Sequence, residues 1–264
     1  MRCVQRGVSP MFDLNTYYTF EDVNETVVEL FRRFKGKSSP GSVLDVGCGR
    51  ARLGQAIEAL GYRVTGLEGN ASACLTARER INEVVEIDLS NEEAVARALQ
   101  DRQFDWLLFA DVLEHTPDPL SVLRYYRRML AQDGGLVVSL PNVAVWDNRI
   151  KFLAGRFNYA DSGVMDRTHL RFFTFHTAHL LLREAGFTVT ATTFEPGIVR
   201  AFLPVIKRLM VSGGAAGKAT DPGLILESPL YRTYQRYVLP VERAICSLAK
   251  GLFAFRIVIV AKPI

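Results

Sequence analysis

Val43-Leu44-Asp45-Val46-Gly47-Cys48-Gly49 is followed at once by Leu53, Ala56, Ile57 and Leu60. The first four residues are apolar around a single aspartate, the pattern of a strand buried on both faces. Two glycines then make a tight turn, and the next apolar residues fall at i, i+3, i+4 and i+7, one face of a helix. A strand, a glycine turn and a helix together aim backbone amides and a helix N-terminus at a bound ligand. Nicotinamide and flavin enzymes use such a turn too, but their G-x-G-x-x-G fingerprint needs glycine at position 52, which is Arg52 here. An acid, Asp45, instead stands two places before the first glycine.

That exchange favours a ligand carrying an amine near the loop over one carrying a pyrophosphate. S-adenosylmethionine has this character: a zwitterionic amino acid, a sulfonium and an adenosine, without phosphate. The run Asp45-x-Gly47-x-Gly49 resembles the first motif of class I S-adenosylmethionine-dependent methyltransferases. The wider pattern is similar to the small-molecule O-methyltransferases of the ubiquinone-biosynthesis type. The resemblance extends over about residues 40–195, with residues 45–49 and 104–119 as its most specific parts. It implies S-adenosylmethionine as cofactor, held by Asp45, Gly47, Cys48 and Gly49 in the turn.

Downstream, Tyr62 to Leu67 reads as a second strand ending at Glu68, nineteen residues beyond Gly49. That is close to the offset of about 20 residues at which a carboxylate meets ribose hydroxyls in nucleotide-binding βαβ units. Ala71 to Ile81 reads as a helix and Val84 to Asp88 as a third strand. The resemblance places the adenine amino group at Asp88, with Leu89 packing nearby. Ser90-x-x-Glu93 has capping-box spacing. Phe104 to Asp111 is apolar almost throughout, as a central parallel strand should be, and Asp111 joins the expected cofactor residues. Gly134-Gly135 is expected to turn into a fifth strand, Leu136 to Leu140. Thr174 caps a helix that Gly186 ends, and strands follow at Thr188–Phe194 and Phe253–Val260. The fold predicted is α/β: a doubly wound, mostly parallel seven-stranded sheet, with the last strand antiparallel at the edge as in the resembled family.

Four segments are expected: an N-terminal helical segment (1–40), a cofactor-binding core (41–196), a basic aromatic helical cap (197–251) and the last core strand (252–264). In the first, Thr19 with Asp22 has cap spacing, Val23 to Phe34 forms an amphipathic helix, and Tyr17 and Tyr18 precede it. In the cap, residues 198–251 hold eight basic residues against three acidic ones, while the rest of the chain is nearly balanced. Tyr231, Tyr234 and Tyr237 recur three apart there, on one helical face. Such a surface suits either a substrate lid or peripheral contact with an anionic membrane. Scattered cysteines and no long apolar run read as a reduced, cytoplasmic protein without a membrane span.

Methyl transfer from a sulfonium is a direct displacement, so alignment supplies much of the rate, and a hydroxyl acceptor must also lose its proton. Histidine is the natural base near neutral pH. His169, in the loop expected over the substrate, is the first candidate; His115, just after the fourth strand, is the second. His176 and His179 read as surface or packing residues. No metal site is expected, because no acid pair accompanies Asp111 at a recognisable spacing. The run after the fourth strand, Asp111-Val112-Leu113-Glu114, lacks the Asn/Asp-Pro-Pro-aromatic pattern of nucleobase-methylating enzymes, which disfavours a nucleic-acid substrate. The expected activity is methylation of a hydroxyl on a small or lipid-linked acceptor, glycan or quinone-like. The alternative is a non-catalytic S-adenosylmethionine-binding module whose cap contacts protein or membrane. The acceptor and the oligomeric state are left open.

Overall fold

The computed structural model describes residues 23–35, 41–100, 102–198 and 233–264. The expected cap at Thr19, Tyr17 and Tyr18, and most of the 197–251 insert, lie outside the described residues.

Seven strands form one sheet in the order β3-β2-β1-β4-β5-β7-β6. They are β1 (Ser42–Val46), β2 (Arg63–Glu68), β3 (Glu83–Glu86), β4 (Phe104–Ala110), β5 (Leu130–Pro141), β6 (Phe187–Pro196) and β7 (Ala254–Pro263). Pairings are parallel except that β7 runs antiparallel between β5 and β6. The last strand is therefore antiparallel as expected, but it is inserted beside the edge and not at it. Strand β1 pairs with both β2 and β4, so the strand order reverses there. A crevice outside the carboxyl ends of the strands opens at such a reversal.

Alternation along the strands divides the core into two layers. Leu44, Val46, Leu107, Phe109, Val138 and Ile259 face one layer; Val43, Leu108, Val137 and Val258 face the other. With a side-chain period of two, a one-residue slip would turn each set to the wrong helices, so register is strongly specified. The first layer is closed by α4 (Glu92–Leu99), α5 (Pro119–Tyr126) and α7 (Phe175–Glu184). The second is closed by α1 (Glu25–Lys35), α2 (Arg52–Glu58) and α3 (Ala71–Arg78). Helix α1 is the amphipathic helix predicted at 23–34. Its Phe34 stacks on Trp106, with centroids 4.3 Å apart at 7°. Phe31 meets Tyr62 and Trp106 edge-on.

Several local expectations change. Gly134 and Gly135 lie within β5, which already starts at Leu130. The reason is space: a Cβ at Gly135 would collide with the Trp106 ring. The N-cap of α4 is Asn91, whose Oδ1 accepts from the Ala94 amide at 3.0 Å, because Ser90 is bonded back to Asp88. The α7 cap is as expected, Thr174 and Thr177 bonding reciprocally. Among the cap tyrosines, Tyr234 bonds Glu242 at 2.7 Å while Tyr237 is exposed. A π-helical turn, Tyr234–Val238, precedes α8 (Leu239–Leu248). Its wider winding takes residues three apart off a common face.

Candidate active site

The crevice is built from the ends of β1, β2, β4 and β5. At the end of β1, Gly47 and Gly49 take positive φ (+75° and +56°). At Gly47 the absence of a side chain is also a spatial need, since a Cβ would sit 2.7 Å from a Val112 methyl. The turn following β4 therefore lies directly on the glycine loop.

Asp45, 1% exposed, sits beneath this loop, and its Oδ2 has no hydrogen-bond partner. Burial, and the neighbouring Glu68 carboxylate, push its pKa up to about 7. Glu68, at the end of β2, accepts from the Gly49 amide on Oε2 (2.9 Å) and from the Asn70 amide on Oε1 (2.8 Å). It thus braces the loop from below. Cys48 is buried beside Gly66, with its thiol pKa raised by burial, so it packs and does not react. Asp88 is exposed just past β3; its Oδ1 accepts from the Ser90 amide and hydroxyl, which lowers its pKa. The Leu89 carbonyl accepts from the Tyr126 hydroxyl at 3.2 Å, and the Leu89 side chain packs on the core.

On the other wall, β4 runs into a left-handed residue, Asp111 (φ 57°), and a 3-10 turn, Leu113–His115. Asp111 is fully engaged: Ser139 of β5 donates to Oδ1 at 2.8 Å, and Arg256 of β7 pairs with Oδ2 at 2.7 Å. The next turn brings His115 against His169, ring centroids 4.9 Å apart. His115 Nδ1 donates to the Thr168 carbonyl (3.2 Å) and His169 Nδ1 to the Val164 carbonyl (3.0 Å). A carbonyl can only accept, so each neutral ring carries its proton on Nδ1 and its lone pair on Nε2. Burial lowers both pKa values, for His115 with help from His169, so both rings are neutral at pH 7. The loop bearing His169 is held by backbone bonds from Leu170 and Arg171 to the Glu114 carbonyl. Asp166 caps it by accepting from Thr168.

The order of the sheet ends, the acid under a glycine loop and the second acid supporting it are the features by which a family is judged. The match with a family model described as a methyltransferase domain, over residues 17–192, decides it. This chain belongs to the class I S-adenosylmethionine-dependent methyltransferases. The chain is similar to the ubiquinone biosynthesis O-methyltransferase of Pseudomonas putida (36% identity over 103 residues, 38% of this chain and 44% of that protein). It is also similar to that of Glaesserella parasuis (30% over 109 residues, 38% and 45%). The match thus spans less than half the length of each of these curated relatives. Among solved structures, a SAM-dependent methyltransferase from Archaeoglobus fulgidus has a TM-score of 0.54 at 20% identity, covering 90% of this chain and 93% of that one. A coclaurine N-methyltransferase, solved with N-methylheliamine and SAH, has a TM-score of 0.55 at 16% identity, covering 92% and 75%. At these identities the solved structures speak for the fold alone.

The residues fit the methyltransferase cofactor. The unpartnered, buried Asp45 oxygen is a place for a donor or cation. The glycine turn above it, its amides already bonded to the Leu67 carbonyl and to Glu68, has no side chain at Gly47 or Gly49 to obstruct a close ligand.

Three residues beside this site have no counterpart in the sequence reading. Glu114 is 1% exposed with neither carboxylate oxygen bonded, and burial followed by the Asp111 charge drives its pKa well up. Donor atoms of Glu114, His115 and His169 lie within 4.8 Å of one another, a group able to hold a metal ion. No such group was expected from spacing, because His169 comes from a distant loop. Arg256 and Glu195 pair at 2.6 Å. The one available signal was an arginine just before the apolar run Ile257–Ala261 of the last strand. Of the remaining histidines, His176 is exposed and His179 contacts the Thr192 hydroxyl, as expected of surface and packing residues.

Proposed function

We propose that this methyltransferase transfers the methyl group to a hydroxyl of a small or lipid-linked acceptor, with His169 as the base and His115 beside it. The observation that carries the proposal is the His169 ring. Its Nδ1 is tied to a carbonyl, its pKa is lowered by burial, and it stands over the carboxyl end of β4 in the lone-pair form that a base needs. The names of the curated relatives, O-methyltransferases, favour oxygen over nitrogen as the atom methylated.

The bound cofactor supplies a methyl group on a positively charged sulfur. This chain's residues do the rest. Asp45 would meet the amino-acid end, Glu68 the ribose hydroxyls, and Asp88 with Leu89 the adenine. Asp111, its carboxylate already held by Ser139 and Arg256, would shape the wall at the transferring methyl with its left-handed turn. His169 would accept the acceptor proton on Nε2 as the new bond forms, and His115 would keep that ring in place.

The acceptor side favours a flat or lipid-borne molecule. Phe152, Phe157, Tyr159 and Phe172 form a ladder of ring contacts 5.2–6.4 Å apart that ends at His169. Near the base of the insert, Val241, Ile245 and Leu248 of α8 are exposed, as are Arg236, Arg243 and Lys250, in keeping with a peripheral membrane contact. No helix among the described residues is long and apolar enough to cross a membrane.

The test is to incubate the protein with methyl-labelled S-adenosylmethionine and a cell extract, then to partition the products. Label in the organic phase supports a lipid-linked or quinone-like acceptor. Label only in the aqueous phase keeps the enzyme and removes the membrane-borne acceptor. No label, with cofactor binding confirmed, rejects the proposal in favour of a binding module.

A further inference from the structure

An arginine inside a strand of apolar residues demands an explanation. Arg256 lies at the start of β7, with its side chain only 12% exposed. One arm meets Asp111 Oδ2 at 2.7 Å and another meets Glu195 Oε2 at 2.6 Å. Glu195 sits opposite Arg256 across the β6–β7 pair. A guanidinium is the cation that can bind two carboxylates at once with fixed geometry.

We propose that Arg256 is a positioning residue for methyl transfer. Two series of contacts run from it into the site. Asp111, held by Arg256 and Ser139, is the non-glycine residue that takes φ 57° where β4 ends. A left-handed conformation at such a residue persists only where its surroundings hold it. Here the Arg256 pair does so together with the Ser139 hydroxyl and the bond from the Asp111 amide to the Ser139 carbonyl. Immediately after Asp111, Val112 lies against Gly47 of the cofactor loop. Three residues further on, His115 meets His169. Arg256 thus sets the turn on which the cofactor loop and the histidine pair both depend, without touching either.

The same arginine ties the turn to the insert. Two residues beyond Glu195, the amide of Gly197 bonds the Phe253 carbonyl at 2.9 Å where the chain returns. Both ends of the segment between β6 and β7 are therefore pinned beside Arg256. Glu195 fixes the arginine from that side as Asp111 does from the other.

The experiment compares Arg256→Met, Arg256→Lys and Glu195→Gln with the parent protein, at a temperature where all are folded by circular dichroism. Two readouts are taken: affinity for S-adenosylhomocysteine by calorimetry, and kcat and KM with labelled S-adenosylmethionine and the extract acceptor. Arg256→Met should lose at least about tenfold in kcat and weaken S-adenosylhomocysteine binding, while Arg256→Lys, keeping the charge but not the fork, should recover part of both. If Arg256→Met folds less stably yet keeps parental kcat, KM and affinity, the residue is only structural and the proposal is overturned. Should Arg256→Met fail to fold, Glu195→Gln decides, since it leaves the Arg256–Asp111 pair in place. A loss of about threefold in kcat supports positioning from the insert side, and parental kinetics overturn it. If the parent itself transfers no methyl, the calorimetric arm still tests Arg256, separately from the identity of the acceptor.

Discussion

His115 and His169 meet edge to face at 70°, although all of β5 and the helix Trp146–Leu153 lie between them in the chain. Each imidazole is held by its Nδ1 on a carbonyl of one loop, His115 on Thr168 and His169 on Val164. The loop that carries one histidine therefore orients the other.

If His169 is the base, His169→Ala should lower kcat by about 10²–10³-fold while leaving S-adenosylhomocysteine affinity nearly unchanged. His115→Ala should cost less, through misorientation of its neighbour. Because burial lowers both pKa values, the neutral form persists into mild acid. The kcat plateau should then extend below the ordinary histidine pKa of about 6.5, and an acid limb centred above that value would count against the assignment.

Asp45 yields a pH dependence of opposite sense. Its folded pKa, about 7, stands above the ordinary 3.8, so the folded state holds a proton that the unfolded state has lost between these values. Stability should decline as pH rises across that window and level off above about 7. Asp45→Asn removes the buried charge. In chemical denaturation it should match the parent near pH 4 and exceed it at pH 8, by at most about 4 kcal/mol. The same variant should bind S-adenosylmethionine more weakly at pH 8, because the charge it lacks is the one a cationic ligand uses.

Zinc should inhibit. Glu114, His115 and His169 present donors close enough for one ion, and a metal on His169 Nε2 takes the lone pair assigned to the acceptor proton. Titrating zinc into the transfer assay should abolish turnover, chelator should restore it, and Glu114→Gln should weaken the inhibition. Activation by zinc would refute the role given to His169.

Gly135→Ala tests the packing between the sheet and α1. The added methyl meets the Trp106 ring, and that ring is stacked on Phe34. Overpacking of this kind should cost about 1–3 kcal/mol in thermal or chemical unfolding. Cofactor affinity at low temperature should be retained, since neither ring borders the crevice.

The sequence by itself determined the elements and one wall of the site. Val43 to Gly49, the acid at Glu68 and the apolar run from Phe104 are local patterns, and local patterns suffice where period and turn chemistry decide the conformation. The glycine loop and the acid at the end of β2 are found where that reading put them, and the last strand is antiparallel as read but lies one place in from the edge. Tertiary structure alone decided the rest. Gly135 looks like a turn until Trp106 from the neighbouring strand is seen to need its space. Ser90 looks like a cap until Asp88 claims it. Above all, the far wall joins Asp111, Glu114 and His115 to His169, Glu195 and Arg256, from four separate parts of the chain. Interactions between buried charges depend on distance and desolvation in the assembled fold. Neither quantity is written in the spacing of residues along the chain.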